Sequence, residues 1–291
     1  MKPRIALTVG DPAGIGPEIA ARAAVDPRVL EVCEPIIYAP PEGERFEPGV
    51  LSGAAGLASY EVLLRAVADA KAGVVDAIAT APVNKEAFKL GGLHWAGHTD
   101  LLAHLTGATD VAMMFYSDAL RVVLATVHIA LADVPRAITH DLMARTIMLV
   151  ARELPRFGIE RPRIAVAGLN PHAGENGLFG AEELEQIVPA IEACRGSGIE
   201  VDGPFPGDTV FVRAARGDFD VVIACYHDQG LIPVKLLAFG QAVNVTIGLP
   251  IIRTSVDHGT AFDIAGQGIA DHGSMVAAVR LAARLASGRH R

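Results

Sequence analysis

Short apolar runs rich in β-branched residues alternate along this chain with longer stretches rich in alanine and leucine. The runs that have the length of buried strands include RIALTV, DAIATAP, RIAVAGL, DVVIACY and AVNVTIG. The stretches between them, of which ASYEVLLRAVADAKAG is the clearest, have the periodicity of amphipathic helices. Strands that alternate with helices pair in parallel and are covered by helices. The sequence therefore predicts an α/β fold built on mainly parallel sheets.

One segment, VAMMFYSDALRVVLATV, breaks this alternation. Its two apolar runs flank Ser117 and Asp118, which predicts an antiparallel hairpin. One face of such a hairpin can cover the chain's own core, but the other needs a partner, because an apolar patch of that size is unusual on a monomer. The residues expected to supply the apolar surface are Met113, Met114, Phe115, Val122, Val123 and Leu124. Symmetric dimers are the commonest solution, so the hairpin predicts a homodimer.

The composition limits the class of protein. The chain has 291 residues, of which 51% are hydrophobic and 20% charged, and this suits one large domain or two closely associated ones. A formal net charge of −8 without a basic cluster disfavours nucleic-acid binding. The three cysteines show no CxxC spacing, so we expect no disulfide framework and a reducing compartment, the cytoplasm. No apolar stretch reaches about 18 residues without a polar break, so we expect no membrane span.

Three histidines lie at or near the carboxyl ends of predicted strands: His128 in VVLATVHIAL, His172 in RIAVAGLNPHAGENG and His227 in DVVIACYHDQG. In open α/β sheets, ligands bind beyond the carboxyl ends of the strands. Three imidazoles that converge there would hold a divalent metal with positions open for a substrate. Each histidine alone is more typical of an ordinary loop or a hydrogen-bonded core residue. The matching placement of all three favours the metal site.

Three loops are compatible with either ligand binding or plain structure. GDPAGIGPE follows the first strand, and its glycines would let backbone N–H groups approach an anion or would simply form a tight turn. Lys85, directly after a strand, would meet a phosphate or carboxylate or would be a solvated lysine at a helix start. His98 and Thr99 in GHTD form a compact polar pair or the beginning of a helix, with Asp100 in its first turn.

Two later segments carry more charge. In YHDQGLIPVK, His227 and Asp228 are adjacent and Lys235 follows, and a carboxylate beside a metal-binding histidine can be a ligand, an orienting group or a base. Asp208 lies in a loop in PGDTVF. Arg253 lies in the apolar run IIRTSV, where an arginine needs either an anionic ligand or a salt bridge, and we favour the ligand.

Taken together, the loops match those of a known family in order: GDPAGIGPE, TAPVNKEAF, GHTD, NPHAGE, GPFPGDT, YHDQG and GLPIIRTSVDHGTAFDIAG. The chain resembles, over essentially its whole length, the 4-hydroxythreonine-4-phosphate dehydrogenases of pyridoxal phosphate synthesis, usually called PdxA. The resemblance implies an isocitrate/isopropylmalate dehydrogenase-like fold of two α/β/α domains, with the active site in the cleft between them and completed across a dimer. We expect residues 1–100 plus 235–291 to form the first domain, and 101–234, with the hairpin, to form the second.

The resemblance also implies the roles of individual residues. The expected ligands of one divalent metal, zinc, cobalt or magnesium, are His128, His172 and His227. The expected substrate contacts are His98, Thr99, Lys235, Asn244 and Arg253. The residues expected at the catalytic centre are Asp208, Asp228 and Lys235.

The activity implied is oxidation of 4-phosphohydroxy-L-threonine, with hydride passed to NAD or NADP. The product, 2-amino-3-oxo-4-phosphooxybutanoate, would lose carbon dioxide to give 3-amino-2-oxopropyl phosphate. The metal would lower the pKa of the substrate hydroxyl, and Asp228, Asp208 or a lysine would take its proton. The partners expected are thus a phosphorylated hydroxy acid and a second copy of the chain, with the active site bordering the dimer interface.

Other functions fit parts of the same pattern. NPHAGENGLFG and IPVKLL also resemble paralogues that act on erythronate or threonate 4-phosphate, and a further branch oxidises aromatic cis-dihydrodiols. Three histidines with an open position also suit a metal-dependent hydrolase or lyase. A phosphate-binding module without activity would keep the anion-binding loops and need no metal.

Overall fold

The apolar runs form strands and the alanine- and leucine-rich stretches form helices, in two units of the chain. The computed structural model describes residues 1–95 and 97–288. The first unit contains Met1–Val111 and the chain from Val243 onward, and the second contains Ala112–Ala242. The second unit is therefore inserted into the sequence of the first.

The described residues form ten strands and eleven α-helices. The strands are β1 (Arg4–Thr8), β2 (Glu34–Tyr38), β3 (Ala77–Thr80), β4 (Ala112–Tyr116), β5 (Arg121–Leu124), β6 (Ile164–Ala167), β7 (Val201–Phe205), β8 (Val221–Ala224), β9 (Val243–Ile247) and β10 (Arg253–Ser255). The helices are α1 (Gly16–Ala24), α2 (Pro27–Leu30), α3 (Gly53–Lys71), α4 (Lys85–Leu90), α5 (His98–Thr106), α6 (Val134–Ala137), α7 (His140–Glu153), α8 (Val188–Gly196), α9 (Gly207–Ala215), α10 (His227–Ala238) and α11 (Gly273–Gly288).

Parallel pairing dominates both units, as the alternation of strands and helices predicted. In the first unit the strand order is β2-β1-β3-β10-β9, with only β9 antiparallel to its neighbour β10. In the second unit the order is β4-β5-β8-β6-β7, with only β4 antiparallel to its neighbour β5. The predicted α/β fold is confirmed, since helices separate the parallel strands along the chain.

Each unit has its own apolar core. In the first unit, Leu101 and Leu102 of α5 are fully buried beside residues of β1, α3 and β3. In the second, Leu231 and Val234 of α10 are buried against β5 and β8. Helices α5 and α10 therefore belong with these cores, and both unit boundaries lie later in the chain than the sequence suggested.

Local signals in the sequence set the ends of several helices. The side chain of Ser52 accepts a hydrogen bond from the N–H of Ala55 and caps α3. The side chain of Asn84 accepts hydrogen bonds from the N–H groups of Glu86 and Ala87 and caps α4, so Lys85 is the first residue of a helix. Lys85 is thus an exposed lysine at the start of a helix, as the second of the two interpretations predicted.

The three cysteines, Cys33, Cys194 and Cys225, are free and buried. Burial raises the pKa of the Cys225 thiol, whose Sγ atom donates a hydrogen bond to the carbonyl oxygen of Ala167. None of the helices in the described part of the chain is both long enough and apolar enough to cross a membrane.

The hairpin forms as predicted, but its apolar side chains are not exposed. Strands β4 and β5 pair antiparallel, with Met114 opposite Val123 and Phe115 opposite Val122. Met114, Val122 and Val123 are all 0% exposed, although they point to opposite faces of the hairpin. The expectation that one face awaits a partner is therefore wrong, because the chain itself covers both.

The burial of Val123 makes the hairpin a determinant of stability. Val123→Glu should lower the free energy of unfolding by about 3–5 kcal/mol, the range for an uncompensated buried charge. Met148→Glu is the matched control, since Met148 is 47% exposed on α7, and it should cost little. Urea denaturation followed by circular dichroism measures both variants. Equal midpoints for wild type and Val123→Glu would contradict the assignment of Val123 to the core.

Candidate active site

Three neighbouring parallel strands of the second unit bring the three candidate metal ligands to one edge of the sheet. Strand β8 pairs in parallel with β5 on one side and with β6 on the other. His128 follows the end of β5, His227 the end of β8 and His172 the end of β6. The carboxyl ends of parallel strands meet at a single edge, which is where ligands of such sheets bind. His227 is the first residue of α10 rather than a loop residue.

Hydrogen bonds tie these strand ends together. The hydroxyl of Thr126, just beyond β5, donates to the carbonyl oxygen of Cys225 at a distance of 2.7 Å. The side chain of Gln229 accepts from the N–H of Cys225 at 2.7 Å and donates from Nε2 to the carbonyl oxygen of Gly168 at 2.7 Å. Thr126 thus joins β5 to β8, and Gln229 joins β8 to β6. Neither residue is recognisable from the sequence, because its partners are distant in the chain.

His128 and His227 lie next to one another. Their ring centroids are 5.7 Å apart. Nδ1 of His227 is 2.7 Å from Oδ1 of Asp228, which leaves Nε2 as the nitrogen able to bind a metal. Histidines that bind metals commonly have a carboxylate on the other ring nitrogen, so this pair fits a metal ligand and its orienting group.

His172 lies on a turn of left-handed backbone. Its φ angle is 53°, and those of Ala173, Gly174, Glu175 and Asn176 are 54°, 80°, 44° and 55°. Each non-glycine residue in this conformation costs roughly 1–2 kcal/mol, and runs of such residues are rare. Strain of this kind persists only where surrounding contacts fix it, and it is concentrated at functional sites.

The three histidines are not brought into one cluster. The ring of His172 lies beside that of Phe179, at a centroid distance of 6.2 Å. Among residues 1–95 and 97–288, no three His, Cys, Asp or Glu side chains are placed to share a metal ion. The structure thus brings His128 and His227 together and puts His172 at the same sheet edge, and the metal trio stays a prediction.

The first unit contains a buried cation without a counterion. Arg253 on β10 is 2% exposed. Its Nη1 donates to the hydroxyl of Thr246 at 2.9 Å and its Nη2 to the hydroxyl of Thr80 at 2.8 Å, while Nε has no partner. Burial lowers the pKa of Arg253 to about 9, so the guanidinium is still charged at neutral pH. No carboxylate in the described chain pairs with it, and a buried unpaired charge is costly.

Other candidate substrate contacts of this unit also have unsatisfied polar atoms. Nε2 of His98 and Oδ1 of Asn244 are buried without a hydrogen-bond partner among the described residues. Burial, and then the charge of Arg253, hold the pKa of His98 well below its usual value of 6.5, so His98 is neutral at pH 7. His98 and Thr99 are the first two residues of α5, and Asn244 lies on β9. Unsatisfied donors and acceptors beside an unpaired cation indicate a binding site for a polar anion.

Three candidates lie in the second unit and are exposed. Asp208 is in the first turn of α9, Asp228 in the first turn of α10 and Lys235 near the end of α10. Of these three residues, Asp228 is hydrogen-bonded to His227. The other two are free to face solvent or a ligand.

The glycine loop after β1 packs against the chain itself. A Cβ atom on Gly10 would lie 2.2 Å from the carbonyl oxygen of Pro82, and one on Gly16 would lie 1.8 Å from that of Val9. The φ angle of Gly10 is +64°, which also favours glycine. These contacts explain the glycines as a tight turn, without a phosphate.

Comparisons with known proteins agree on one family. A family model described as pyridoxal phosphate biosynthetic protein PdxA matches residues 16–282. The D-threonate 4-phosphate dehydrogenase of Cupriavidus necator is 46% identical, over 99% of this chain and 98% of that protein. The 4-hydroxythreonine-4-phosphate dehydrogenase of Desulfosudis oleivorans is 48% identical, over 97% of this chain and 95% of that protein.

Solved structures give the same result. The 4-hydroxythreonine-4-phosphate dehydrogenase of Klebsiella pneumoniae has a TM-score of 0.88 at 43% identity and covers 98% of both chains. Isocitrate dehydrogenase of Methylococcus capsulatus has a TM-score of 0.50 at 18% identity, over 95% of this chain and 83% of that one. This second likeness concerns the fold alone, and it confirms the expected isocitrate dehydrogenase-like fold class.

The unpaired charge of Arg253 can be tested with inorganic phosphate. Phosphate should raise the melting temperature of the wild-type protein, since a ligand that binds the folded state stabilises it. Arg253→Lys keeps the charge but loses the planar fork held by Thr80 and Thr246, so it should weaken phosphate binding by about 10-fold or more. Arg280→Lys, at an exposed position of α11, is the control. An unchanged phosphate dependence in both Arg253→Lys and Arg253→Met would refute the anion site.

Proposed function

Since this chain belongs to the PdxA family of pyridoxal phosphate biosynthetic proteins, we propose that it is an NAD- or NADP-dependent dehydrogenase of a phosphorylated four-carbon hydroxy acid. The observation that carries this proposal is the buried, unpaired guanidinium of Arg253, with the unsatisfied atoms of His98 and Asn244. An anionic substrate would supply the missing counter-charge. The histidines at the sheet edge of the second unit would then bind the metal that activates the substrate hydroxyl.

We propose 4-phosphohydroxy-L-threonine as the substrate. Oxidation would transfer a hydride from the carbinol carbon to the nicotinamide and a proton from the hydroxyl to a base. The resulting 2-amino-3-oxo-4-phosphooxybutanoate would lose carbon dioxide, with the bonding electrons forming an enolate that is then protonated to 3-amino-2-oxopropyl phosphate. D-threonate 4-phosphate is the second candidate, because a relative named for it is as similar to this chain as those named for 4-hydroxythreonine 4-phosphate.

We assign each candidate residue a separate role in the reaction according to its chemistry. Arg253 would bind an anionic group of the substrate, and neutral His98 would donate or accept a hydrogen bond without adding repulsion. Asp228 would orient His227, since its carboxylate is already hydrogen-bonded to that ring. Asp208 or Lys235 would then be the proton acceptor. A zinc, cobalt or magnesium ion held by His128, His172 and His227 would lower the pKa of the substrate hydroxyl.

The activity test is absorbance at 340 nm with NAD⁺ or NADP⁺ and a panel of substrates: 4-phosphohydroxy-L-threonine, D-threonate 4-phosphate, D-erythronate 4-phosphate and an aromatic cis-dihydrodiol. We expect turnover of a phosphorylated acid, release of carbon dioxide and loss of activity on chelation. Alanine at His128, His172 or His227 should lower kcat by about 100-fold or more, and His94→Ala, at an exposed position, should not. Substrate consumption without nicotinamide would instead support a hydrolase or lyase.

We also propose a homodimer, with its interface on the exposed apolar face of α10 instead of the hairpin. Ile232 and Leu236, one turn apart on this helix, are 59% and 81% exposed, and Phe239, directly after the helix, is 79% exposed. A contiguous apolar face of this kind marks an interaction site, and symmetric dimers are the commonest assemblies. Because α10 begins at His227, a second copy docked there would border the active site. The free cysteines suit a reducing compartment, so we place the protein in the cytoplasm.

The dimer is tested by sedimentation velocity. Leu236→Glu should shift the protein from dimer to monomer without unfolding it, because the residue is exposed in the single chain. Val25→Glu, 71% exposed at the end of α1, is the control and should leave the dimer intact. A wild-type protein that is monomeric and fully active at assay concentration would refute the proposal.

A further inference from the structure

The left-handed turn that carries His172 rests on a buried carboxylate, that of Glu183. Glu183 is 2% exposed. Its Oε1 accepts the N–H of Asn170 at 2.7 Å, and its Oε2 accepts Nδ2 of the same asparagine at 2.9 Å. Asn170 is the residue immediately before the turn, so Glu183 fixes both the backbone and the side chain of its first anchor.

Glu183 begins an unusual helical turn, and Glu182 directly before it also contacts Asn170. Residues Glu183–Ile187 form a π-helical turn, a widened geometry that is frequent at functional sites. Glu182, next to Glu183, also points its carboxylate at Asn170, with Oε2 2.8 Å from Nδ2. Both protons of the Asn170 amide are therefore donated to carboxylates, and the asparagine is held in one orientation.

The turn and the carboxylate are in direct contact. A Cβ atom on Gly174, inside the turn, would lie 2.7 Å from Oε2 of Glu183. A Cβ atom on Gly168 would lie 3.3 Å from Oε1 of Glu183 and 2.8 Å from Cα of Ala173. The close packing of Glu183 against the turn thus favours glycine at position 174, and the close packing of Ala173 favours it at position 168.

Glu183 has no cationic partner in the part of the chain that the structure describes. Its recorded polar contacts are with Asn170 alone. A buried carboxylate that is satisfied only by neutral donors destabilises the folded chain unless a positive charge lies nearby. A divalent cation bound by His172, on the turn that Glu183 contacts, would provide that positive charge.

We propose that Glu183 is a positioning residue that holds Asn170 and, through it, the left-handed turn that carries His172, and that its buried charge increases the affinity for a divalent cation. This assignment rests on the proposed metal-binding role of His172. Hydrogen-bonded groups behind a metal ligand typically change metal affinity by about 10- to 100-fold when they are altered. Glu183 acts through Asn170 and His172 and does not touch the substrate.

The test is titration of the metal-free protein with Co²⁺, followed by calorimetry and by visible absorption of the bound ion. Glu183→Gln replaces one acceptor by a donor that faces Asn170, so it should weaken Co²⁺ binding by about 10- to 100-fold and change the absorption bands. Its melting temperature without metal should change little, because removal of the buried charge offsets the lost hydrogen bond to Asn170. Glu185→Gln, an exposed residue of the same π-helical turn, should bind Co²⁺ as the wild type does.

A second variant tests the contact from its other side. Asn170→Ala removes the amide that Glu183 holds and should weaken Co²⁺ binding in the same direction. It also tests the proposal if Glu183→Gln does not fold.

The outcomes separate the two proposals. If the wild type and His172→Ala bound Co²⁺ equally, or if neither bound it, the metal role of His172 would be wrong, and the role of Glu183 with it. If His172→Ala lost binding while Glu183→Gln and Asn170→Ala kept wild-type affinity, only the role of Glu183 would be refuted. A loss of affinity matched by a lower melting temperature without metal would make Glu183 merely structural.

Discussion

Parallel pairing of β8 with β5 and β6 is the constraint on which the candidate metal site depends. It puts three strand ends at one edge of the second sheet, and each end is followed within a few residues by a histidine. The side chains of Thr126 and Gln229 then join these ends across β8. A sheet fixes positions more closely than loops do, so the chain can present His128, His172 and His227 from segments that are far apart in sequence.

Two buried groups of opposite charge, one in each unit, are held by neutral hydrogen-bond partners. Arg253 is held by the hydroxyls of Thr80 and Thr246, and Glu183 by the amide and N–H of Asn170. Neither has a partner of opposite charge within the described chain. Such groups reduce folding stability, so we expect a ligand to balance each one, an anionic substrate for Arg253 and a divalent cation near Glu183. Each buried charge would thus lower the stability of the folded chain and raise its affinity for the ligand, as is common at functional sites.

Some elements were predictable and others were not, for identifiable reasons. The hairpin of β4 and β5 was predicted correctly, but the exposure of one of its faces was not, since a run of apolar residues does not reveal whether the chain itself covers both faces of a strand. Helix α10 was not predicted from the sequence, and it contains Gly230 and Pro233, which are residue types typical of turns. Packing requires a glycine at position 230, because a Cβ atom there would lie 2.6 Å from the side chain of Leu124. A residue required by a close contact thus resembled a turn residue.

The sequence by itself determined the α/β class, most strands and helices, the three histidines at strand ends and the isolated arginine of β10. These follow from local patterns, because the period of apolar residues and the residue types at strand ends are properties of neighbouring positions. Only the tertiary structure decided what surrounds them: the threonines that hold Arg253, the glutamine that joins β8 to β6 and the carboxylate beneath the turn of His172. Those contacts join residues from different elements, and which of them meet is set by the packing of the whole unit, which no local pattern records.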